Sequence, residues 1–430
     1  MNYLNSSAMF VAGTLLICNA SAQDAAVSSG ITFNDSTGAL RAFNPAVSAT
    51  IDMFYYNENS DEGLSHMKEE VAGFGGHSHD EDEHDHDHGY ENGFNLRHLE
   101  LTFYAEVDNY FRAQAIAAIS EEGAEMEEAW AETTGLPWGL QAKAGKFFSN
   151  FGYINAQHSH QWDFTDQPLI YELTLGSHGL NDKGVQVSWL APTPFYLLFG
   201  AEVFQGDNEN MYVQEEADEL PENDGPRLGV GWVKIAPFQF DNSELQFGLF
   251  GASGSHQEIH EEEVGGIDYD YFYDGDNMFF GGDVVYKYSS GKAYGQGDAV
   301  VQAEYFYRDK DLDLKDSDAP GAPIGSALTG AQDGYYIQGT YGFLPRWRAG
   351  LRWDQVGLTN EEQEPGEAKE EFGDSWRASA MVDFRPSEFS QIRFQVNNGD
   401  YDLGDEGTEN VWEAFVQLTF SLGAHGAHSF

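Results

Sequence analysis

The sequence predicts an all-β fold: a porin-like, transmembrane antiparallel β-barrel of about 16 strands. Three observations predict it. Apolar and polar side chains alternate at every second position over most of the chain. The connections sort into short turns bearing Pro, Gly or Asn and long acidic stretches. No run beyond the amino-terminal leader has the roughly 18 apolar residues that a membrane helix needs.

Composition supports the same class. The 430 residues carry 72 acidic and 21 basic side chains, a formal charge of −51 that repels polyanions and excludes nucleic acid as a partner. Such acidity alone would suggest disorder, but 14% of residues are aromatic and 48 are glycine, which points to β-structure.

The chain opens on a secretory signal, residues 1–22: an apolar core, "AMFVAGTLLIC", followed by Ala20-Ser21-Ala22 at a small-x-small cleavage site. The sole cysteine, Cys18, lies in that leader, so the mature chain is expected to have neither disulfides nor a thiol site. Residues 23–45 are expected to form a short periplasmic segment, and 46–430 the barrel.

The alternation then sets the strands. In "LELTFYAEV", Leu99, Leu101, Phe103, Ala105 and Val107 share one face, and Glu100, Thr102, Tyr104 and Glu106 the other. Residues 375–384, 392–397 and 412–422 repeat the rhythm. Counting from a periplasmic amino terminus, strands are predicted at 46–56, 94–107, 110–119, 125–134, 139–147, 184–190, 195–204, 227–236, 244–253, 277–289, 298–308, 333–343, 346–357, 375–384, 389–399 and 410–422. Turns such as "APTP" and "FLPR" fall on the periplasmic side. The acidic stretches 57–93, 148–183, 205–226, 254–276, 309–332 and 358–373 fall outside as loops. Sixteen strands enclose an aqueous lumen. An aromatic carboxy terminus, Phe430, is of the kind recognised by the barrel assembly machinery, and outer-membrane lipid is the expected surroundings.

The run "EEAWAETTGLPWGLQAKAGKFFSNFG" followed by "DKGVQVSWLAP" resembles the core of the phosphate-selective porin O and P superfamily. "NAQHSHQWDFTDQP", the histidine-rich first loop and the tail "FSLGAHGAHSF" are similar to bacterial proteins labelled zinc-regulated, TonB-dependent outer-membrane receptors. The resemblance implies a sixteen-stranded porin, able to form a homotrimer and connected with zinc, whose "GKF"-type strand leads into a long loop folded back into the pore. Energy-coupled receptors have 22 strands and a plugged lumen; only residues 23–45 precede the first strand here, so passive diffusion is expected.

Three sets of residues could carry chemistry. In "HSHDEDEHDHDHG", His77, His79, His84, His86 and His88 alternate with carboxylates on the first external loop. Imidazole suits zinc, copper and nickel, and a segment that must be ordered on binding suits weak, exchanging capture. A solvated acidic loop is the plainer reading. On the inward loop 148–183, His158 and His160 stand two residues apart, about 7 Å along an extended backbone, and can reach one ion. Asp163, Asp166 or His178 are candidate further ligands and Trp162 could shape the constriction. Anchoring of the loop by hydrogen bonds is the alternative. By alternation, His98, Glu100, Lys143, Arg348, Arg352, Asp354, Arg377, Arg393 and Glu413 point into the lumen, where opposed charged rows would order water and select ions, a purely structural role in the barrel wall being the alternative. "SHQEIH", with His256 and His260, and the terminal His425 and His428 read as ordinary surface.

The expected function is a passive, cation-preferring outer-membrane porin linked to divalent metal, with Zn²⁺ as transported or loop-bound ion and no required cofactor. A general diffusion porin, a TonB-type metal receptor and a non-conducting surface barrel are the alternatives. An enzyme is not expected: GxSxG and HExxH motifs are absent.

Overall fold

Each of the sixteen alternating runs forms a strand. The computed structural model describes residues 45–60, 63–74, 89–121, 123–208, 217, 219–221, 224–263 and 266–423. The leader, most of the segment 23–45, His77, His79, His84, His86, His88, His425, His428 and Phe430 lie outside the described residues. The strands are β1 (Ala46–Glu58), β2 (Gly93–Glu106), β3 (Phe111–Ile119), β4 (Ala124–Thr133), β5 (Leu140–Phe148), β6 (Asn181–Leu190), β7 (Tyr196–Phe204) and β8 (Leu228–Gln239). They continue as β9 (Ser243–Glu263), β10 (Asp268–Tyr288), β11 (Ala299–Ser317), β12 (Ala327–Leu344), β13 (Trp347–Gln363), β14 (Ser375–Ser387), β15 (Ser390–Asp402) and β16 (Thr408–Gly423). Each pairs antiparallel with its neighbour, and β1 pairs with β16 from Ser48 opposite Gly423 to Glu58 opposite Glu413, so the sheet closes and no edge is left open.

The outer face is apolar, as period-two patterning requires. Leu351 is 70% exposed and Phe94 82% exposed, pointing away from the interior, while their neighbours Arg352 and Asn95 turn to polar partners. Tyr110, Trp138, Phe238, Phe240 and Tyr294 stand exposed near the short turns, where a bilayer-spanning barrel carries an aromatic girdle.

The strand lengths correct the expectation in one region. Much of 254–276, 309–332 and 358–373, expected to be loop, continues the hairpins β9–β10, β11–β12 and β12–β13. Their many acidic residues read as loop, yet the alternation runs on: Asp311 and Asp313 are exposed while Leu312, Leu314 and Leu328 are buried with Tyr273 in a second apolar cluster, and the ladder of backbone hydrogen bonds continues. The first external loop also departs from an all-polar reading. It contains a short helix, α1 (Leu64–Glu69), with Leu64, Met67, Val71 and Phe74 buried in the main apolar cluster.

Residues 149–180, between β5 and β6, fold back into the barrel and include a second helix, α2 (Leu169–Leu175). Phe151 packs on Phe250, Phe306 and Phe279, with ring centroids 4.4, 5.3 and 6.3 Å away. Glu304 of β11 accepts hydrogen bonds from the Tyr153 and Ile154 amides at 2.7 and 3.1 Å and from the Tyr171 hydroxyl at 3.0 Å. The close approach needs a glycine. Gly152 has φ +69°, and a Cβ there would lie 2.4 Å from Tyr171 Oη and 2.5 Å from Glu304 Oε2. Gly152→Ala is therefore expected to weaken docking by about 1–3 kcal/mol, seen as faster proteolysis within 149–162 while the barrel still migrates as folded on an unheated gel.

Candidate functional site

The inward loop divides the lumen into two chemically different sides. Towards β13–β15 its carboxylates meet arginines. Asp163 takes Arg348 at 2.7 Å; Asp166 takes Arg352 at 2.9 Å and Arg377 at 3.2 Å; Glu172 takes Arg377 at 3.1 Å and Lys68 of α1 at 2.9 Å. Asp354 binds Arg352 and accepts the Leu169 amide, so it holds the start of α2. Arg393 donates to the Trp162 carbonyl at 2.8 Å and to Gln417 at 2.9 Å. Burial by itself would raise the pKa of Asp163 and Asp166, but Arg348 beside the first and Arg352 and Arg377 beside the second hold both below the usual carboxylate range.

Towards β2 and β4 the signs reverse, and here the loop presents histidines to carboxylates. His158 Nε2 lies 2.7 Å from Glu128 Oε1, and its Nδ1 lies 3.2 Å from Glu127 Oε2 and 3.4 Å from Glu100 Oε2. His160 Nδ1 is 3.1 Å from the same Glu100 oxygen. The two rings stack with centroids 5.9 Å apart. His98 completes the group: one ligand atom each from His98, Glu100 and His160 lie within 4.8 Å of one another, as do those of Glu100, Glu127 and His158. Burial disfavours a charged His158, yet Glu100, Glu127 and Glu128 outweigh it and hold its pKa well above the ordinary value.

Two β-bulges create this wall. The register slips between Ile116 and Ala117 of β3, so Glu127 is an extra residue on β4 beside Glu128. A second slip, between Asp52 and Met53 of β1, makes Arg97 an extra residue on β2 beside His98. A bulge puts two successive side chains where strict alternation allows one. Arg97 uses that position to bind Asp52 at 3.0 Å and the Thr165 carbonyl at 2.6 Å.

The structure thus brings together His158, His160, His98 and Glu100 from the expected sets. Asp163 and Asp166 sit instead on the arginine side, and His178 is 44% exposed, 3.9 Å from Glu125 at the rim. Arg352, Asp354, Arg377, Arg393 and Glu413 face inward but are covered by the loop and its partners; Glu413 accepts from Tyr56 at 3.1 Å and Asn397 at 3.0 Å. Lys143 stands over the rings of Trp130 and Phe147. Arg348 borders open space, lining with Arg346, Arg385, Asp298 and Thr340 a cavity of roughly 670 Å³ at the short-turn end. Sequence reasoning missed Glu127 and Glu128, whose signal was the acidic run "EEGAEMEE" at the tip of the β3–β4 hairpin. It also misplaced His256 and His260. Both are buried on β9 and share Glu258, at 2.6 and 3.1 Å, with Lys310 at 3.0 Å, so an ammonium already neutralises that carboxylate.

No family model matches the sequence. A protein of Aquifex aeolicus (strain VF5), described as "Uncharacterized protein", is 36% identical over 404 residues, covering 91% of this chain and 81% of the relative. In structure the chain is similar to the outer membrane channel DcaP of Acinetobacter baumannii, with TM-score 0.51 and 13% identity over 88% of this chain and 96% of that one. It is also similar to OmpT, an outer membrane protein of Vibrio cholerae, with TM-score 0.50 and 11% identity over 88% of this chain and 97% of that one. At these identities the likeness to the solved structures is one of fold.

Proposed function

We propose, from the premise that this chain belongs to one family with the Aquifex aeolicus protein, that it is an integral outer-membrane porin for passive, cation-preferring diffusion, linked to uptake of divalent metal and of zinc in particular. One observation carries the reading: Glu100, Glu127 and Glu128 converge with His98, His158 and His160 inside the lumen, where no Lys or Arg is paired with those three carboxylates among the described residues. Fixed negative charge in a narrow passage raises the local cation concentration, and imidazole with carboxylate selects borderline-soft divalent ions.

The described flanks of the histidine-rich segment support metal capture at the same mouth. Phe74 is buried in the cluster that covers the inward loop, and Tyr90 packs on Phe54 with centroids 4.6 Å apart and accepts a hydrogen bond from Arg97 at 3.3 Å. His77, His79, His84, His86 and His88 belong to the proposal as the capturing residues.

A second reading, general diffusion of small solutes, is favoured by the cavity that Arg346, Arg348 and Arg385 line. Reversal potentials in a salt gradient across planar bilayers separate the two. The first reading expects a cation-selective sign and a conductance that falls when zinc is added. An anion-selective sign with no response to zinc would leave only the second. Deleting residues 77–88 is expected to raise the zinc concentration needed for that response without changing the sign.

A further inference from the structure

The inward loop is fastened by two kinds of chemistry, and on one side the fastening is incomplete. On the β13–β15 side its carboxylates are matched by arginines at 2.7–3.2 Å. On the β2–β4 side Glu100 Oε2 and Glu127 Oε2 are buried and accept no hydrogen bond of good geometry, and Nδ1 of His158 is in the same condition. Glu100 is only 3% exposed and its oxygen points at the two loop histidines. A buried polar atom left in that state costs about 1–3 kcal/mol, and Glu100, the member common to the triads His98–Glu100–His160 and Glu100–Glu127–His158, is the group on which both draw.

We infer that a divalent cation held by His98, Glu100 and His160 clips the inward loop to β2 and thereby fixes the width of the passage. This deepens the proposed function, on whose metal site it rests, by giving that site a regulatory role. The chemistry fits zinc: two imidazoles and a carboxylate are common zinc donors, and a tetrahedral site brings its donor atoms to about 3.4 Å apart. Three atoms already within 4.8 Å reach that spacing by side-chain adjustment. Topology makes it a clip. His98 and Glu100 belong to β2, and His160 comes from the loop 62 residues further along. The full donor set therefore exists only while the loop is docked. An ion that binds the docked state alone stabilises it by mass action, so occupancy and loop position are linked. Occupancy would also draw Glu100 away from His158, which keeps Glu127 and Glu128.

Hydrogen exchange of the full chain in detergent, with Zn²⁺ or Mg²⁺ as the only added divalent ion, tests this. With zinc at a hundred times its dissociation constant, amides within 156–162 that exchange only on undocking are expected to slow about a hundredfold. Magnesium should have little effect, because it prefers oxygen ligands and keeps its waters. In His98→Ala/His160→Ala the zinc effect is expected to vanish, and His98→Gln, which retains a polar side chain, should show the same loss. Unchanged exchange of the unmodified chain at saturating zinc would overturn the clip, as would slowing that survives in both variants. The comparison with and without zinc on the unmodified chain stands even if a variant misfolds. Reversal potential in potassium chloride without zinc is a separate readout, so failure of the clip and failure of the cation-channel reading are distinguishable.

Discussion

Asp166→Ala is expected to release the inward loop from the β13–β15 wall and to raise single-channel conductance with a marked increase in open-channel noise. Asp166 receives Arg352 and Arg377 together with the amide groups of Gln395 and Asn397, at 2.5–3.2 Å. Its removal leaves two buried guanidinium groups sharing Asp354, with Glu172 reaching Arg377 alone. Breaking a buried pair by removing one partner costs about 3–5 kcal/mol, which shifts the docked–undocked balance by roughly two to three and a half powers of ten. Asp166→Asn retains the hydrogen-bonding shape and should fall between the two. Unaltered conductance in the alanine variant would mean that ions do not pass beside residues 163–167.

The same pairing gives the pH dependence. Asp163 and Asp166 have pKa values depressed by their arginines. Their contribution is fully present above the pKa of an unstructured aspartate, about 3.9, and is lost as pH falls through the lower values of the folded state. Docking on the arginine side is therefore expected to survive acidification from neutrality to about pH 4 and to fail below it.

Replacing Glu100, Glu127 and Glu128 together by glutamine is expected to remove most of the cation preference. A unit charge about 8 Å from a permeating ion contributes about 0.5 kcal/mol even at the dielectric constant of water. His158, which these carboxylates hold charged, offsets one of the three, so the net effect is roughly sixfold in relative permeability. The reversal potential should move towards zero, most clearly at low ionic strength, where these charges are screened least. If it does not move, selectivity is set by the acidic mouth or by the arginine-lined cavity.

These expectations depend on residues that differ in how far the sequence discloses them. His158 and His160 were legible as a pair, because two positions along an extended segment bring two rings to one side. Glu100 and His98 were legible as inward-facing from the alternation of β2. Their convergence was not, since it joins a strand near residue 100 to a loop near residue 160. Glu127 illustrates the limit most clearly: strict alternation turns it outward, and only the bulge opposite Ile116 and Ala117 brings it in. Asp163 is the converse case. Three residues from His160 it was a reasonable ligand, but the chain turns there and delivers it to Arg348 on β13.

The sequence by itself determined the barrel, its sixteen strands and the sides on which turns and long connections lie, because side-chain alternation and turn chemistry are local properties written along each strand and departed from only at single bulges. Only the tertiary structure decided which charges meet. A carboxylate is equally acidic on paper whether it will face an arginine or a histidine, and that choice was made when residues 149–180 folded across a lumen whose two walls carry opposite charge.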